Sequence, residues 1–201
     1  MRFGLDSTGE IAISAHRLVG STVALRYLSR YTPKVITAGE VSRYRAGHID
    51  IVSVFEDYGW TQGHTRDFAG GVADAQFALA QARATGAPPN VCIIFAIDTD
   101  TYPPSATDNY ADGIASVLSK DRSGVYGSAD MVAHWASRGF KANWQTYAWS
   151  AGRFVDGCLI YQYSNGHTVG GVGCDFNHIY PDAQGNFWQW DRGVPVPIHH
   201  K

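Results

Sequence analysis

Short apolar runs and amphipathic segments alternate along the first two thirds of the chain. Strands are predicted where β-branched and other apolar residues cluster, and helices where periodic or alanine-rich segments follow. The predicted strands cover 2–6, 22–29, 50–57, 90–98 and 123–127, and the helices that follow them cover 10–20, 37–47, 65–86, 105–120 and 128–139. The pattern therefore predicts five successive βα units.

The last third of the chain has strand signals without matching helices. These aromatic-rich segments lie at 143–150, 158–165 and 172–177 and are joined by short loops that contain glycine. Eight strands favour an α/β fold, a single (β/α)8 TIM-like barrel of parallel strands with reduced helices in its last units. No glycine-rich phosphate loop follows the first strand, which argues against an open nucleotide-binding sheet. We assign the barrel domain to 1–192 and treat 193–201 as a tail.

Composition and charge narrow the function classes. The chain has 201 residues, of which 45% are hydrophobic and 17% charged, and this predicts one folded domain instead of a disordered chain. A net charge of −2 without basic runs argues against nucleic-acid binding. No export signal is recognised at the N-terminus and no segment reaches about 18 consecutive apolar residues, so membrane insertion is not expected. We expect a soluble monomer.

The three cysteines do not indicate a disulfide scaffold or a zinc site. Cys92, Cys158 and Cys174 are too few and too widely spaced for either. Buried structural thiols are the simplest interpretation. Whether Cys158 and Cys174 form a disulfide stays open at this point.

Acidic residues end several of the predicted strands. The fourth strand runs into Asp98 and Asp100, and side chains two residues apart on a strand project to the same face. In a barrel, the carboxyl ends of the strands form the mouth where active sites lie. Asp6, Glu56 and Asp175 end three further predicted strands. We therefore expect five carboxyl groups around one pocket.

A pocket of acids has a limited set of uses. One carboxylate at a strand end is often only a helix cap or a turn former, whereas crowded carboxylates repel one another unless protons or cations compensate. Glycoside hydrolysis uses such a group, because one carboxyl protonates the leaving oxygen and another stabilises positive charge or activates the attacker. All five acids are thus candidate catalytic residues.

A divalent metal ion is the main alternative for the acids. His64, His167 or His178 could complete such a site with them. No histidine lies at a tight spacing from the Asp98 and Asp100 pair, which disfavours this chemistry. We expect neither a metal nor another cofactor.

Aromatic and amide side chains lie near the later strand ends. Flat rings there could stack on pyranose faces, and amides could bind hydroxyl or acetamido groups, although the same side chains are also typical of core packing. The candidate substrate-binding residues are Trp144, Gln145, Tyr147, Trp149, Gln162 and Tyr163.

The order of the strand-end motifs resembles a known family. The motifs are "GLD", "VFED", "FAIDTD", "GVYG", "WQTYAWS" and "YQYSNGHTVGGVGCDFNH". Over roughly residues 3–178 they resemble the glycoside-hydrolase-like domain of unknown function found in actinobacterial proteins and in lysins of their phages. They are similar, more distantly, to Chalaropsis-type lysozymes, muramidases with a modified β/α barrel that cleave the glycan of peptidoglycan.

This resemblance implies a partner and a setting. The partner would be bacterial peptidoglycan or a related glycan. A phage endolysin catalytic domain would act first in the host cytoplasm and then on the cell wall. A secreted protein would carry an export signal that this sequence does not show.

One position departs from the muramidase pattern. In those enzymes the fourth strand ends in Asp-x-Glu, whose Glu is the usual proton donor, whereas this chain has Asp98 and Asp100. Asp100 could donate, or Glu56 could do so while Asp98 orients an acetamido group. The barrel could also be a noncatalytic glycan-binding module. Our leading hypothesis is a muramidase-like hydrolase, with Glu56 slightly favoured as the donor.

Overall fold

Eight strands close into a barrel in the computed structural model, which describes residues 1–57, 67–100 and 103–180, and neighbouring strands follow chain order. The strands are β1 (Arg2–Ser7), β2 (Val23–Leu28), β3 (Asp50–Phe55), β4 (Ile93–Ala96), β5 (Ser123–Gly127), β6 (Trp144–Thr146), β7 (Ile160–Val169) and β8 (Val172–Ile179). The helices are α1 (Ile13–Leu18), α2 (Ala38–Ala46), α3 (Phe68–Ala84), α4 (Asp108–Leu118) and α5 (Ala129–Ser137), with short 3₁₀ turns at Thr32–Lys34, Pro104–Thr107 and Lys120–Arg122. The predicted α/β barrel is confirmed.

Alternating side chains divide the core into two layers. All six residues of β3 are buried, because Val52 and Val54 point into the barrel while Ile51 and Phe55 pack against the helices. A strand covered on both faces is mostly apolar along its length, and Ser53 is the one polar residue between Ile51 and Phe55. The barrel interior is therefore packed below the mouth and leaves only its upper end for a site.

Side chains cap the first turns of helices α2 and α3. The Thr37 hydroxyl accepts a hydrogen bond from the Glu40 backbone N–H at 3.1 Å, and the Asp67 carboxylate accepts one from Gly70 N–H at 2.8 Å. The Glu40 side chain does not complete a capping box, because it forms a buried ion pair with Arg26. These caps set where each βα unit turns away from the mouth.

The last units have lost their helices, as expected. Between Trp144 and Ile179, a stretch that the structure describes in full, the chain forms strands and turns without a helix. A two-residue turn at Gly170 and Gly171, both at positive φ, joins β7 to β8.

The expectation of a wholly parallel barrel is wrong for β8. This strand pairs antiparallel with both β7 and β1, whereas the other neighbours pair parallel. A two-residue turn can only reverse the chain, because a parallel return needs a crossover of a dozen or more residues. The end of β8 that reaches the mouth is consequently its N-terminal half.

Four strands, β2, β3, β4 and β6, are shorter than their predicted ranges, and the difference is largest for β4 and β6. β4 ends at Ala96 and β6 ends at Thr146, whereas β7 extends to Val169. After β4, the Thr99 N–H donates to the Ile97 carbonyl at 2.9 Å, which marks a tight turn. Asp98 and Asp100 therefore lie beyond the strand, where strand alternation no longer decides the direction of a side chain.

Two further expectations can be compared with the structure. Cys92, Cys158 and Cys174 are all buried free thiols, so the disulfide left open by the sequence is not formed. No helix within the described ranges is long and apolar enough to cross a membrane. The domain boundary at 192 and the tail lie outside the described residues.

Candidate active site

A cavity of about 240 Å³ opens at the barrel mouth. It lies where β2 to β6 end and where the β7–β8 hairpin rises beside them, which is the end of the barrel that carries active sites in this fold. The described residues that line it are Tyr27, Val54, Glu56, Asp98, Tyr126, Trp144, Thr146, Ala148, Trp149, Gln162, Asn165 and Asp175.

Four of the five predicted acids meet at this cavity. Glu56, Asp98 and Asp175 line it directly. Asp6 is only 3% exposed and lies behind two of the lining residues. Its Oδ1 accepts a hydrogen bond from the Tyr27 hydroxyl at 2.9 Å, and its Oδ2 accepts one from Gln162 Nε2 at 2.8 Å.

The fifth acid, Asp100, does not line the cavity. Its side chain is exposed, and it is absent from the described residues of the lining. We had expected it to share a face with Asp98 because the two are separated by one residue. Asp98 and Asp100 do not share a face, because the strand ends at Ala96 and a turn follows it.

Asp175 reaches the mouth by a different route from the one expected. It lies in the middle of β8 and pairs in register with Asp6 of the antiparallel β1. Its Oδ1 accepts a hydrogen bond from Gly166 N–H at 2.9 Å, and its Oδ2 accepts one from Gln162 Nε2 at 3.1 Å. Asp175 is therefore held by the hairpin and does not end a strand.

Gln162 joins the two sides of the site. Its Nε2 donates to both Asp6 and Asp175, and its Oε1 accepts from the Tyr126 hydroxyl at 2.9 Å and from Thr146 Oγ1 at 2.7 Å. Protein groups thus occupy both ends of this buried amide. Gln162 lines the cavity as predicted. Its amide, however, binds the surrounding side chains and orients them.

Glu56 has a cationic partner. Lys34 Nζ lies 3.1 Å from Glu56 Oε1, and the lysine side chain is only 10% exposed. The same ammonium group lies 4.9 Å from the centre of the Tyr27 ring. A positive charge of low exposure therefore compensates the Glu56 carboxylate within the mouth.

Burial and crowding raise the pKa values of the other carboxyl groups. Burial and the charge of Asp175 raise the pKa of Asp6 to about 7, against the opposing hydrogen bonds from Tyr27 and Gln162. Although Asp98 is accessible from the cavity, desolvation and the Glu56 charge raise its pKa to about 6. Burial also raises the pKa of Asp175, against its hydrogen bond from Gly166. Asp6 and Asp98 thus keep their protons closer to neutral pH than free carboxyl groups do.

Aromatic side chains form part of the floor and the rim. Trp144 is buried in the floor, where its Nε1–H donates to Asn177 Oδ1 at 2.9 Å. Trp149 lines the rim with 43% of its surface exposed. Tyr147 is also exposed, and its hydroxyl donates to Asn165 Oδ1 at 2.7 Å. Of these predicted contacts, Trp149 is the accessible ring in the cavity lining.

Two predicted substrate contacts lie away from the cavity. Gln145 alternates with Trp144 and Thr146, so it points out of the barrel, where it is fully buried. Tyr163 packs on the outer side of the hairpin, with its ring 4.1 Å from that of His178. Adjacent strand residues such as Trp144 and Gln145 cannot both face one pocket.

The candidate histidines form no metal site with the acids of the cavity in the part of the chain that the structure describes. His167 stacks on Phe176 at 3.7 Å, His178 contacts Tyr163, and His64 lies outside the described residues. Across residues 1–57, 67–100 and 103–180, no group of three or more histidine, cysteine and acidic side chains could hold a metal ion.

The sequence reasoning missed several lining residues. Tyr27 and Tyr126 each lie next to the last residue of a strand and face inward, a position that could have been read from strand alternation. Thr146 follows in the same way from Trp144. Lys34 had no such signal, because it lies in a 3₁₀ turn and reaches Glu56 across the mouth.

Comparisons with known proteins agree with this geometry. A family model described as an Rv2525c-like, glycoside hydrolase-like domain matches residues 15–183. The Tat-secreted protein Rv2525c of Mycobacterium tuberculosis, solved with L-tartrate, is 26% identical, with a TM-score of 0.83 over 94% of this chain and 98% of that one. No curated protein matches the chain.

More distant structures share the fold. A muramidase from Acremonium alcalophilum is 15% identical, with a TM-score of 0.61 over 91% of this chain and 95% of that one. The autolysin LytC of Streptococcus pneumoniae, solved with a synthetic peptidoglycan ligand, is 13% identical, with a TM-score of 0.60 over 89% of this chain and 46% of that one. The fold is thus shared with enzymes that are named for the hydrolysis of cell walls.

Proposed function

This chain belongs to the family of Rv2525c-like, glycoside hydrolase-like domains, and on that premise we propose that it hydrolyses the glycan strand of bacterial peptidoglycan. The observation that carries the proposal is that Asp98 and Glu56 line one cavity with unlike surroundings. Desolvation and the Glu56 charge raise the pKa of Asp98 to about 6, whereas the Glu56 carboxylate pairs with Lys34. Glycoside hydrolysis uses two carboxyl groups, one that donates a proton and one that stabilises positive charge or activates the attacker.

In the proposed mechanism, Asp98 donates the proton to the glycosidic oxygen. Desolvation and the Glu56 charge keep that proton on the acid at mildly acidic pH. Glu56 acts as the carboxylate that stabilises positive charge at the anomeric carbon or activates the attacking group. This reverses the preference for Glu56 as donor that the sequence suggested, because the Glu56 carboxylate is held in an ion pair with Lys34.

The remaining acids support the reacting pair. Asp6 and Asp175 are bridged by Gln162, and the pKa of Asp6, raised to about 7, reduces the negative charge beneath the substrate. Tyr27 connects this group to the Lys34 side, because its hydroxyl binds Asp6 and its ring faces the ammonium. The network thereby fixes the floor of the mouth without contacting the scissile bond.

The proposed substrate class rests on the shape of the site and on its relatives. The exposed Trp149 beside acidic groups suits a sugar ring, which has both an apolar face and hydroxyl groups. The LytC structure contains a peptidoglycan ligand, and its barrel resembles this one. We further propose that the protein acts as a monomer on the cell wall, as part of a phage lysin or of a secreted actinobacterial protein.

Digestion of purified peptidoglycan tests the function directly. The parent protein is expected to release reducing ends, and mass spectrometry of the fragments identifies the cleaved bond. Asp98→Asn should abolish release, whereas Asp100→Asn is a matched control that should retain it, because Asp100 lies outside the cavity lining. Absence of reducing ends from every wall tested would contradict the proposal.

A noncatalytic glycan-binding module is the second candidate. The observation in its favour is Asp100, which stands where the muramidases resembled by the sequence carry their usual donor. Co-sedimentation with walls, without release of reducing ends, would support this function and contradict the hydrolase.

A further inference from the structure

The loop between β6 and β7 holds an unusual backbone conformation at the rim of the site. Trp149 has a φ of 55° and Ala151 a φ of 50°. Residues with a side chain rarely adopt this left-handed region, and a bulky one there is strained. Such strain persists only where the surrounding structure enforces it. The contacts of this loop therefore show what holds the backbone in this conformation.

Ser150 anchors the centre of the loop. This residue is fully buried between its two strained neighbours. Its Oγ donates to the Thr146 carbonyl at 2.6 Å and accepts from the Ala129 N–H at 3.0 Å, which ties the loop to β6 and to the start of α5. The backbone at Trp149 therefore cannot relax without breaking buried hydrogen bonds.

Gln145 anchors the far side of the loop. Its buried Nε2 donates to the Arg153 carbonyl at 2.7 Å, and its Oε1 accepts from the Val155 N–H at 2.9 Å. The Arg153 guanidinium in turn pairs with Asp130 of α5 at 2.7 Å. The loop is thus fixed from both faces, and Gln145 acts behind the rim and not inside the cavity.

The enforced conformation places the indole at the cavity with 43% of its surface exposed. Packing explains only part of this placement, because 43% of the residue's surface stays in contact with solvent. Its neighbours across the mouth are the carboxyl groups of Asp98, Glu56 and Asp175. A flat apolar face beside hydrogen-bonding groups is complementary to a pyranose ring, whose faces are apolar and whose edge is polar.

We propose that the strained loop presents Trp149 as a preorganised platform on which one pyranose ring of the substrate stacks. The strain lowers the stability of the free protein and removes the ordering that binding would otherwise require. The identity of the sugar rests on the proposed function, whereas the platform itself does not depend on turnover.

Two substitutions of Trp149 distinguish the effect of relieving backbone strain from the effect of losing the ring. Trp149→Ala and Trp149→Gly both remove the indole, and each should weaken binding of soluble glycan strands roughly three- to tenfold in calorimetry. Trp149→Gly should nevertheless melt about 2–4 °C higher than Trp149→Ala, because glycine relieves the positive φ. At an unstrained position the order would be reversed, since glycine is then the less stable residue.

Ala151→Gly is the matched control. Ala151 shares the loop, the exposure and the positive φ, but it is not among the described residues that line the cavity. This variant should bind glycan strands like the parent protein and melt at the same or a higher temperature. Trp149→Phe should recover part of the affinity, because a flat ring is restored.

The outcomes distinguish this inference from the proposed function. Binding by the parent without cleavage, lost in both Trp149 variants, would support the platform while contradicting the hydrolase. Cleavage at an unchanged KM in the Trp149 variants, or no binding of glycan by the parent, would overturn the platform. A melting temperature for Trp149→Gly below that of Trp149→Ala would overturn the role of strain.

Discussion

Asp98 and Glu56 face one cavity but differ in what surrounds them. Asp98 gains its raised pKa from desolvation and from the charge of Glu56, whereas Lys34 opposes that rise. Glu56 has the Lys34 ammonium at 3.1 Å. The ion pair with Lys34 thus distinguishes the surroundings of Glu56 from those of Asp98.

The first prediction concerns the proton donor. Asp98→Asn removes the proton while nearly preserving shape, so turnover should fall on the order of 10²-fold or more with glycan binding retained. In the parent protein the rate should fall as the pH rises through about 6, because Asp98 then loses its proton. An unchanged alkaline limb of the pH–rate profile in Asp98→Asn would contradict the assignment.

A second prediction concerns the two charged neighbours that shift the pKa of Asp98 in opposite directions. Glu56→Gln removes a negative charge and should lower the pKa of Asp98, whereas Lys34→Met removes a positive charge and should raise it. Carboxyl resonances followed by NMR during a pH titration measure both shifts without requiring turnover. Shifts of the same sign in the two variants would show that direct charge interaction is not the cause.

At the scale of elements, β6 and its loop act as one unit. Gln145 leaves the barrel wall on the side opposite Trp144 and binds the loop that carries Trp149. Its contribution to the site is therefore indirect and should depend on Trp149 being present. Coupling between the two residues can be measured with a double-mutant cycle.

The third prediction is the result of that cycle. Gln145→Met leaves the Arg153 carbonyl and the Val155 N–H without their partner, which should destabilise the protein by about 1–3 kcal/mol. It should also weaken glycan binding in the parent protein but add little in the Trp149→Ala background. Equal losses in both backgrounds would mean that Gln145 affects the site by a route other than Trp149.

Much of the site could be predicted from the sequence, and each wrong prediction has a physical cause. The positions of Asp6 and Glu56 follow from the ends of parallel strands, whereas Asp98 reaches the cavity from the turn that follows β4. The direction of β8 was missed although Gly170 and Gly171 already predict a tight reversal. Asp100 was misplaced because the apolar pattern does not show that β4 ends two residues before Asp98.

Other features could not be read from the sequence at all. The pairing of Lys34 with Glu56 joins a 3₁₀ turn to the end of β3, and neither element carries a periodic signal for the contact. The positive φ of Trp149 is equally hidden, because the sequence places no glycine or asparagine there. The contacts that depend on tertiary structure are therefore harder to predict from the sequence than the strands are.

At the scale of the whole molecule, buried titratable groups make stability depend on pH in two directions. Asp6 has a pKa raised to about 7, so the folded state binds its proton more tightly than the unfolded state. Its contribution to stability is therefore lost as the pH rises toward about 7. Burial lowers the pKa of His16 to about 4, so its contribution is lost as the pH falls below the ordinary histidine range.

The fourth prediction follows from those opposite signs. In the parent protein the two contributions change in opposite directions between about pH 4 and 6 and offset each other. In chemical denaturation, Asp6→Asn should therefore make stability rise more steeply with pH across this range, and His16→Gln should make it fall more steeply. A change of slope in the other direction in either variant would contradict the assigned pKa directions.

The hydrogen bond between Gln162 and Asp6 joins residues that are 156 positions apart. Asp175, which the same amide binds, comes from the strand that closes the barrel against β1. A chain that has not yet formed β8 lacks both this acid and the bridge that holds its partner. The proposed hydrolysis should therefore arise only with barrel closure, and a shortened chain that lacks β8 should not release reducing ends from peptidoglycan.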